Sequence, residues 1–169
     1  MPELNNQNFN HLKIHTQYSI CEGAIKIDNL KDFCKEKKIP CLGLSDTSNL
    51  CGALEFAENI SKVGTQPIIG TQIYFRFEDT TGLLPLIALN ENGYKRIIEL
   101  SSRSYLENDA LSDPHLDIKE LLIDTEGVSL LSGTIQGLFG KLFEKGRLDE
   151  ISKLYKSLSS KFNDNFYLE

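Results

Sequence analysis

Between Ile39 and Gly70 the apolar positions change their period twice. Cys41-Leu42-Gly43-Leu44 is an unbroken apolar run that stops at Ser45-Asp46, as in a strand buried on both faces. After the polar Thr47-Ser48-Asn49, the residues Leu50, Ala53, Leu54, Ala57 and Ile60 recur at helical spacing, which predicts an amphipathic helix. Ser48 or Asn49 stands where a side-chain oxygen can cap its free N–H groups. Gly64 stops it, and Pro67-Ile68-Ile69-Gly70 opens a second buried strand. Strand, helix and strand joined by short loops make a βαβ unit. Asp46 then lies at the carboxyl end of a parallel strand, where such folds bind ligands.

The rest of the chain continues the alternation. His11-Leu12-Lys13-Ile14-His15 alternates in polarity and predicts a strand with His11, Lys13 and His15 on one face. Thr16 to Gly23 reads as a loop. A helix is expected from Asp28 to Lys38, with Leu30, Phe33, Cys34 and Lys37 along one stripe. Its basic last turn suits the negative end of the helix dipole. Gly70 to Phe75 prolongs the second strand, Glu78 to Gly82 is a turn, and Leu83 to Leu89 is another strand. Asn90 opens a helix carrying Tyr94, Ile97, Ile98, Ser101 and Tyr105. Asp117 caps a short helix, and Gly127 to Leu131 is a strand. Thr134 is expected to cap a helix with Ile135, Leu138, Phe139, Leu142 and Phe143 on its apolar side. A last helix spans Leu148 to Ser159 before the strand-like Phe166-Tyr167-Leu168. This order predicts an α/β fold, either a barrel or a doubly wound sheet.

At 169 residues, one domain with a sizeable core is expected. The net charge of −6 excludes a generally basic, nucleic-acid-binding surface. The four cysteines lack CxxC spacing, so free thiols in a reducing compartment are expected rather than disulfides or a zinc site. No apolar run approaches the ~18 residues of a membrane span, and a cytoplasmic location follows.

Two histidines at one strand's end and an Asp at the next are part of a recipe for a multi-metal hydrolytic site. The recipe is incomplete here. Lys13 stands on the face shared by His11 and His15, and a protonated lysine has no lone pair to give a metal. Thr47 follows Asp46 where an imidazole would serve. The only other histidine, His115, falls in a loop expected to be solvated.

The blocks HLKIHTQYSICEGAIKI, LGLSDTSNLCGALEF, QPIIGTQIYF, ALNENGYKRIIELSSRSYL and VSLLSG, in that order, resemble the N-terminal polymerase-and-histidinol-phosphatase (PHP) domain of the bacterial DNA polymerase III alpha subunit. The likeness covers residues 9–169, with 1–8 as a flexible lead-in. It implies a distorted (β/α) barrel of the PHP type, incomplete at the C-terminus, with the polymerase palm, fingers and thumb outside the chain. In some relatives it implies a trinuclear metal site with 3′–5′ exonuclease activity. Carried over by residue, His15 matches the second His of a His-x-His and Asp46 the Asp of an Asp-His pair. Lys13 replaces the first His, Thr47 the His after Asp46, Gln72 an acidic residue, and Leu83 a further His; Glu55 often recurs as Glu.

The resemblance therefore implies a catalytically degenerate pocket of His11, Lys13, His15, Asp46, Thr47, Glu55 and Gln72. No metal is expected there; Mn or Zn would bind, if at all, through His15 and Asp46. Mg would serve the parent polymerase. The implied role is a structural and docking domain for the proofreading exonuclease subunit and other replicase subunits, with DNA held by the absent polymerase domains. The alternative is a residual metal-dependent 3′–5′ exonuclease or phosphoesterase using His11, His15, Asp46 and Glu55. If no metal balances Asp46, the ammonium of Lys13 is expected to pair with it, because an unpaired buried carboxylate costs several kcal/mol.

Overall fold

Ile27, Leu30 and Cys34 recur on one side of a helix, α1 (Ile27–Lys37), and all three are buried. Phe33, expected on the same stripe, is 43% exposed. Lys38 turns left-handed at φ 52° to end it, its N–H donating to the Cys34 carbonyl. The chain then enters β1 (Cys41–Thr47), α2 (Ala53–Ser61) and β2 (Gln66–Phe77). β1 and β2 pair in parallel, with Asp46 opposite Thr71 and Thr47 opposite Gln72, so the βαβ unit stands as the pattern predicts. The structure is a computed structural model and describes residues 9–109 and 111–169. The expected lead-in over 1–8 lies outside the described residues.

The start of α2 differs from expectation. Gly52 is the N-cap, and neither Ser48 nor Asn49 bonds the first turn. The chain makes an extra turn first: Ser48 is left-handed at φ 58°, and Asn49 Oδ1 accepts from the Cys51 N–H at 3.0 Å. Short polar side chains favour such local turns over a cap three residues on.

A two-residue connection at Glu78-Asp79 turns β2 back into β3 (Thr80–Ala88), which runs antiparallel to it. α3 (Glu91–Leu106) follows, capped by the Asn90 side chain, which accepts from the Gly93 N–H. Its buried face includes Ile97, Leu100, Ser101 and Ser104, while Ile98 and Tyr105 are 40% and 52% exposed. β4 (Leu116–Asp117) adds to β2, and α4 (Ile118–Ile123) is capped by Asp117 as predicted. β5 (Val128–Leu131) runs antiparallel to β3. α5 (Leu138–Glu144) begins four residues after Thr134, with Gly137 as its N-cap. Thr134 instead offers its carbonyl to the Gly137 N–H, and Ile135 stays outside the helix, 66% exposed. α6 (Leu148–Phe162) and a 3-10 turn lead to β6 (Phe166–Tyr167), parallel to β5.

The sheet runs β1-β2-β3-β5-β6, with β4 beside β2, and it is open. The fold is a mixed α/β sheet with helices packed on it. One apolar cluster joins α1, α2 and β1 around Leu42, Leu44 and Phe56; the larger joins the rest of the sheet to α3–α6 around Ile73, Phe75 and Leu86. Each such side chain contributes about 1.5–3 kcal/mol by leaving water.

His11 to His15 does not form the expected ladder strand. It is an extended segment lying outside β1, with one bridge from Ile14 to Leu44. The Ile14 N–H donates to the Gly43 carbonyl at 3.1 Å, and the Gly43 and Ser45 N–H groups donate to His11 and Ile14 carbonyls at 2.7 and 2.8 Å. Gly43 permits this approach, since a Cβ there would fall 2.3 Å from the Leu12 carbonyl oxygen. The four cysteines are free, Cys34 buried and Cys21 and Cys51 exposed. Among the described residues no helix is long and apolar enough to cross a membrane.

Candidate functional site

The parallel pairing of β1 and β2 brings Asp46, Thr47 and Gln72 to one end of the sheet, and the segment leaving His15 folds over them. Asp46 is fully buried. Its Oδ1 accepts from the Thr16 N–H at 2.6 Å and the Ser19 hydroxyl at 2.7 Å, and its Oδ2 from the Thr16 hydroxyl at 2.7 Å. Ser19 Oγ in turn accepts from the Thr47 N–H at 3.0 Å. The carboxylate is thus a three-fold acceptor that ties the loop after His15 to the end of β1. Hydrogen bonds to an ionised group are shorter and stronger than neutral ones, and together they meet the cost of burying this charge.

A second network lies beside it. Gln72 Nε2 donates to Thr47 Oγ1 at 2.7 Å, and the Thr47 hydroxyl donates to the Glu22 carboxylate. His15, Lys13, Gln72, Glu22 and Leu83 line a cavity of about 310 Å³ at this end of the sheet. The position matched to a missing histidine, Leu83, therefore does face the same space as the other substituted positions. Among the described residues, His15 Nδ1 is buried without a hydrogen-bond partner.

Lys13 does not pair with Asp46. Its ammonium lies 2.6 Å from Glu169 Oε1, and Asp46 is served by hydroxyl and amide donors instead. The expected lysine–aspartate pair is corrected on both sides. His11 lies away from the cavity, exposed, its ring edge-on to Phe9 at 4.8 Å between centroids. Glu55, on α2, accepts from the Tyr18 hydroxyl at 2.6 Å. That bond, then the carboxylate's charge, raises the Tyr18 phenol above its ordinary value of 10.0. His115 is half-buried, with Nδ1 2.8 Å from the Asp113 carbonyl.

Thr16, Ser19 and Glu22 are the residues that sequence reasoning missed. Their only signal was a run of hydrogen-bonding side chains in the loop directly after the first candidate ligand.

These donors do not fit a multinuclear metal site. Both oxygens of Asp46 are occupied by donors, Lys13 has no lone pair while protonated, Leu83 has no donor atom, and Thr47 and Gln72 are neutral and bonded to each other. Among the described residues no group of three or more His, Cys, Asp or Glu is placed to hold a metal ion.

The site is a polar pocket at the strand ends of an open α/β sheet, its buried carboxylate hydrogen-bonded to its own loop. The chain belongs to the PHP domain family, whose model matches residues 11–169. It is 36% identical over its whole length to the DNA polymerase III subunit alpha of Caulobacter vibrioides, covering 16% of that protein. It is 32% identical to the Vibrio cholerae protein of the same name over 95% of this chain and 14% of that one. The chain thus spans about one sixth or less of the length of these relatives. A solved amidohydrolase from Chromobacterium violaceum superposes with a TM-score of 0.44 at 12% identity, covering 87% of this chain and 54% of that one.

Proposed function

We propose that these residues are the PHP domain of a DNA polymerase III alpha subunit and that in this chain the domain is structural, a docking platform without hydrolysis of its own. The observation that carries this reading is Asp46. A carboxylate that accepts three internal hydrogen bonds has three of its roughly four lone-pair sites taken by its own loop, and turning those donors away to make room for a cation would leave them buried and unpaired. The partners proposed are a proofreading exonuclease subunit and the other replicase subunits, in the cytoplasm. DNA and the polymerase's Mg²⁺ would be held by parts of the polypeptide outside these residues.

A second reading, a residual metal-dependent exonuclease or phosphoesterase, is favoured by one observation: the buried, unpartnered Nδ1 of His15 beside a polar cavity. The two are separated by assaying rigorously purified protein on 3′-labelled primed DNA with Mn²⁺ or Zn²⁺. The structural reading expects no shortening that depends on His15. Turnover abolished by His15→Ala would establish the enzyme instead.

A further inference from the structure

Two cavities adjoin at the strand ends. Glu22, Leu83 and Gln136 line the one of about 310 Å³ that holds His15, and the same three line its neighbour of about 240 Å³, which holds Tyr74 and Lys141. Leu83 stands on β3 and Gln136 in the loop before α5. Glu22 reaches the boundary from the opposite side, at the end of the loop that follows His15.

Its mounting is a tight turn. The Glu22 and Gly23 N–H groups both donate to the Ser19 carbonyl, at 3.0 and 2.8 Å. Cys21, inside the turn, is left-handed at φ 67°, a conformation that favours glycine. Ile20 beside it is 85% exposed, so burial does not hold the tip down. Among the described residues, one hydrogen bond joins residues 20–23 to the strands: the Thr47 hydroxyl donates to the Glu22 carboxylate. Gln72 sets the direction of that bond. Its Nε2 donates to Thr47 Oγ1 at 2.7 Å, so the hydroxyl turns its own proton to Glu22. An acidic residue at 72, the type that the family resemblance puts there, would accept that proton instead.

We propose that Glu22 is a movable bar across the cleft at the strand ends, with Thr47 and Gln72 as the catch that holds it shut. Shut, the bar stands between the His15 cavity and the Tyr74–Lys141 cavity. Swung out on its turn, it joins them into one cleft and opens His15 to solvent. The base of the loop stays in place, because Thr16 and Ser19 hold it to Asp46 by three hydrogen bonds. The tip has one bond to the strands, a left-handed cysteine and an exposed isoleucine, so it parts from the wall before the base does. The bar goes beyond the docking role and does not depend on it.

The test uses the full polypeptide that carries these residues, with chelator present throughout. Thr47→Val cuts the catch and leaves the Glu22 side chain whole; Glu22→Ala, at an exposed position, removes the bar itself. Diethyl pyrocarbonate modifies accessible imidazoles, and its rate at His15 is read by peptide mass against His11, which is exposed and lies away from the cavity. Thr47→Val is expected to raise the His15-to-His11 ratio by about tenfold, the factor that a hydrogen bond to a charged group supports. Glu22→Ala is expected to raise it at least as far, and the double variant no further than Glu22→Ala, since both changes release one link. Backbone hydrogen exchange should quicken in Thr47→Val over residues 20–23 and stay unchanged over 16–19. A His15 ratio that stays at the parent value in both single variants would overturn the bar. So would exchange that quickens equally over 16–19, because the whole loop would then be leaving together.

Discussion

Thr16 Oγ1 donates to Asp46 Oδ2 at 2.7 Å across thirty residues of chain, and the same threonine's N–H donates to Oδ1 at 2.6 Å. This bidentate grip, completed by Ser19, makes Asp46 the post to which the loop over the cavity is tied.

Asp46→Ala removes an acceptor from three donors at once and leaves them in a buried site. Hydrogen bonds to charged groups contribute about 1.5–3 kcal/mol each, and not additively, so a loss of about 3 kcal/mol is expected. It is read as a lower urea midpoint with the slope unchanged. Asp46→Asn keeps one acceptor oxygen, and its amide can donate to the Thr16 hydroxyl, so its loss is smaller. A cost for the alanine variant within about 0.5 kcal/mol would mean that the post carries nothing.

Gly43 is where the Ile14 segment touches β1. A methyl group there overlaps the Leu12 backbone, with Cα and carbonyl oxygen at 2.6 and 2.3 Å. Backbone cannot rotate away as a side chain can, so Gly43→Ala is expected to cost at least about 2 kcal/mol. It should also speed hydrogen exchange at Ser45, whose N–H is held by Ile14. Gly64→Ala is the control. Its site is open but left-handed at φ 81°, so only the conformational penalty of about 1 kcal/mol applies. Equal costs at the two glycines would refute the close approach at Gly43.

The β2–β3 turn is tied to the start of α6 by Arg147, whose Nη2 lies 2.7 Å from Asp79 Oδ2. The Arg147 hydrogen bonds hold the Asp79 carboxyl down from 3.8 to about 2. A carboxyl depressed in the folded state contributes stability above its unfolded value and loses it as pH falls through the folded one. The contribution is therefore full above about pH 4 and gone below about pH 2. Denaturation midpoints followed from pH 5 downward should fall less steeply for Asp79→Asn than for the parent protein. Because the pair is exposed, the difference should be small and should shrink in high salt. Identical pH profiles would contradict it.

The βαβ core of the fold was legible because Leu42, Leu44, Ala53 and Ile60 announce their periods locally. The antiparallel return of β3 was not, since an apolar run such as Leu83–Ile87 reads the same in either direction. Only the two-residue connection at Glu78-Asp79 carried that information. Asp46 was found by its place at a strand's end, but its partners were misread. Facing residues on a strand tell which side a lysine leaves from, and not how far its flexible stem reaches, so Lys13 went to Glu169. Thr16 and Ser19 look like any polar loop residues until the loop is seen folded back. The cap of α2 was misplaced for a related reason. Ser48 and Asn49 stand at the right distance in sequence, yet the turn they make uses up that distance before the helix begins.

The central claim is that this PHP pocket keeps its carboxylate for its own loop. Equilibrium dialysis of the purified protein against Zn²⁺ or Mn²⁺, followed by elemental analysis of the protein and of its His15→Ala and Asp46→Asn variants, tests it most directly. The account predicts substoichiometric metal in all three, with no difference between them. Two or more ions per chain, lost in both variants, would contradict it.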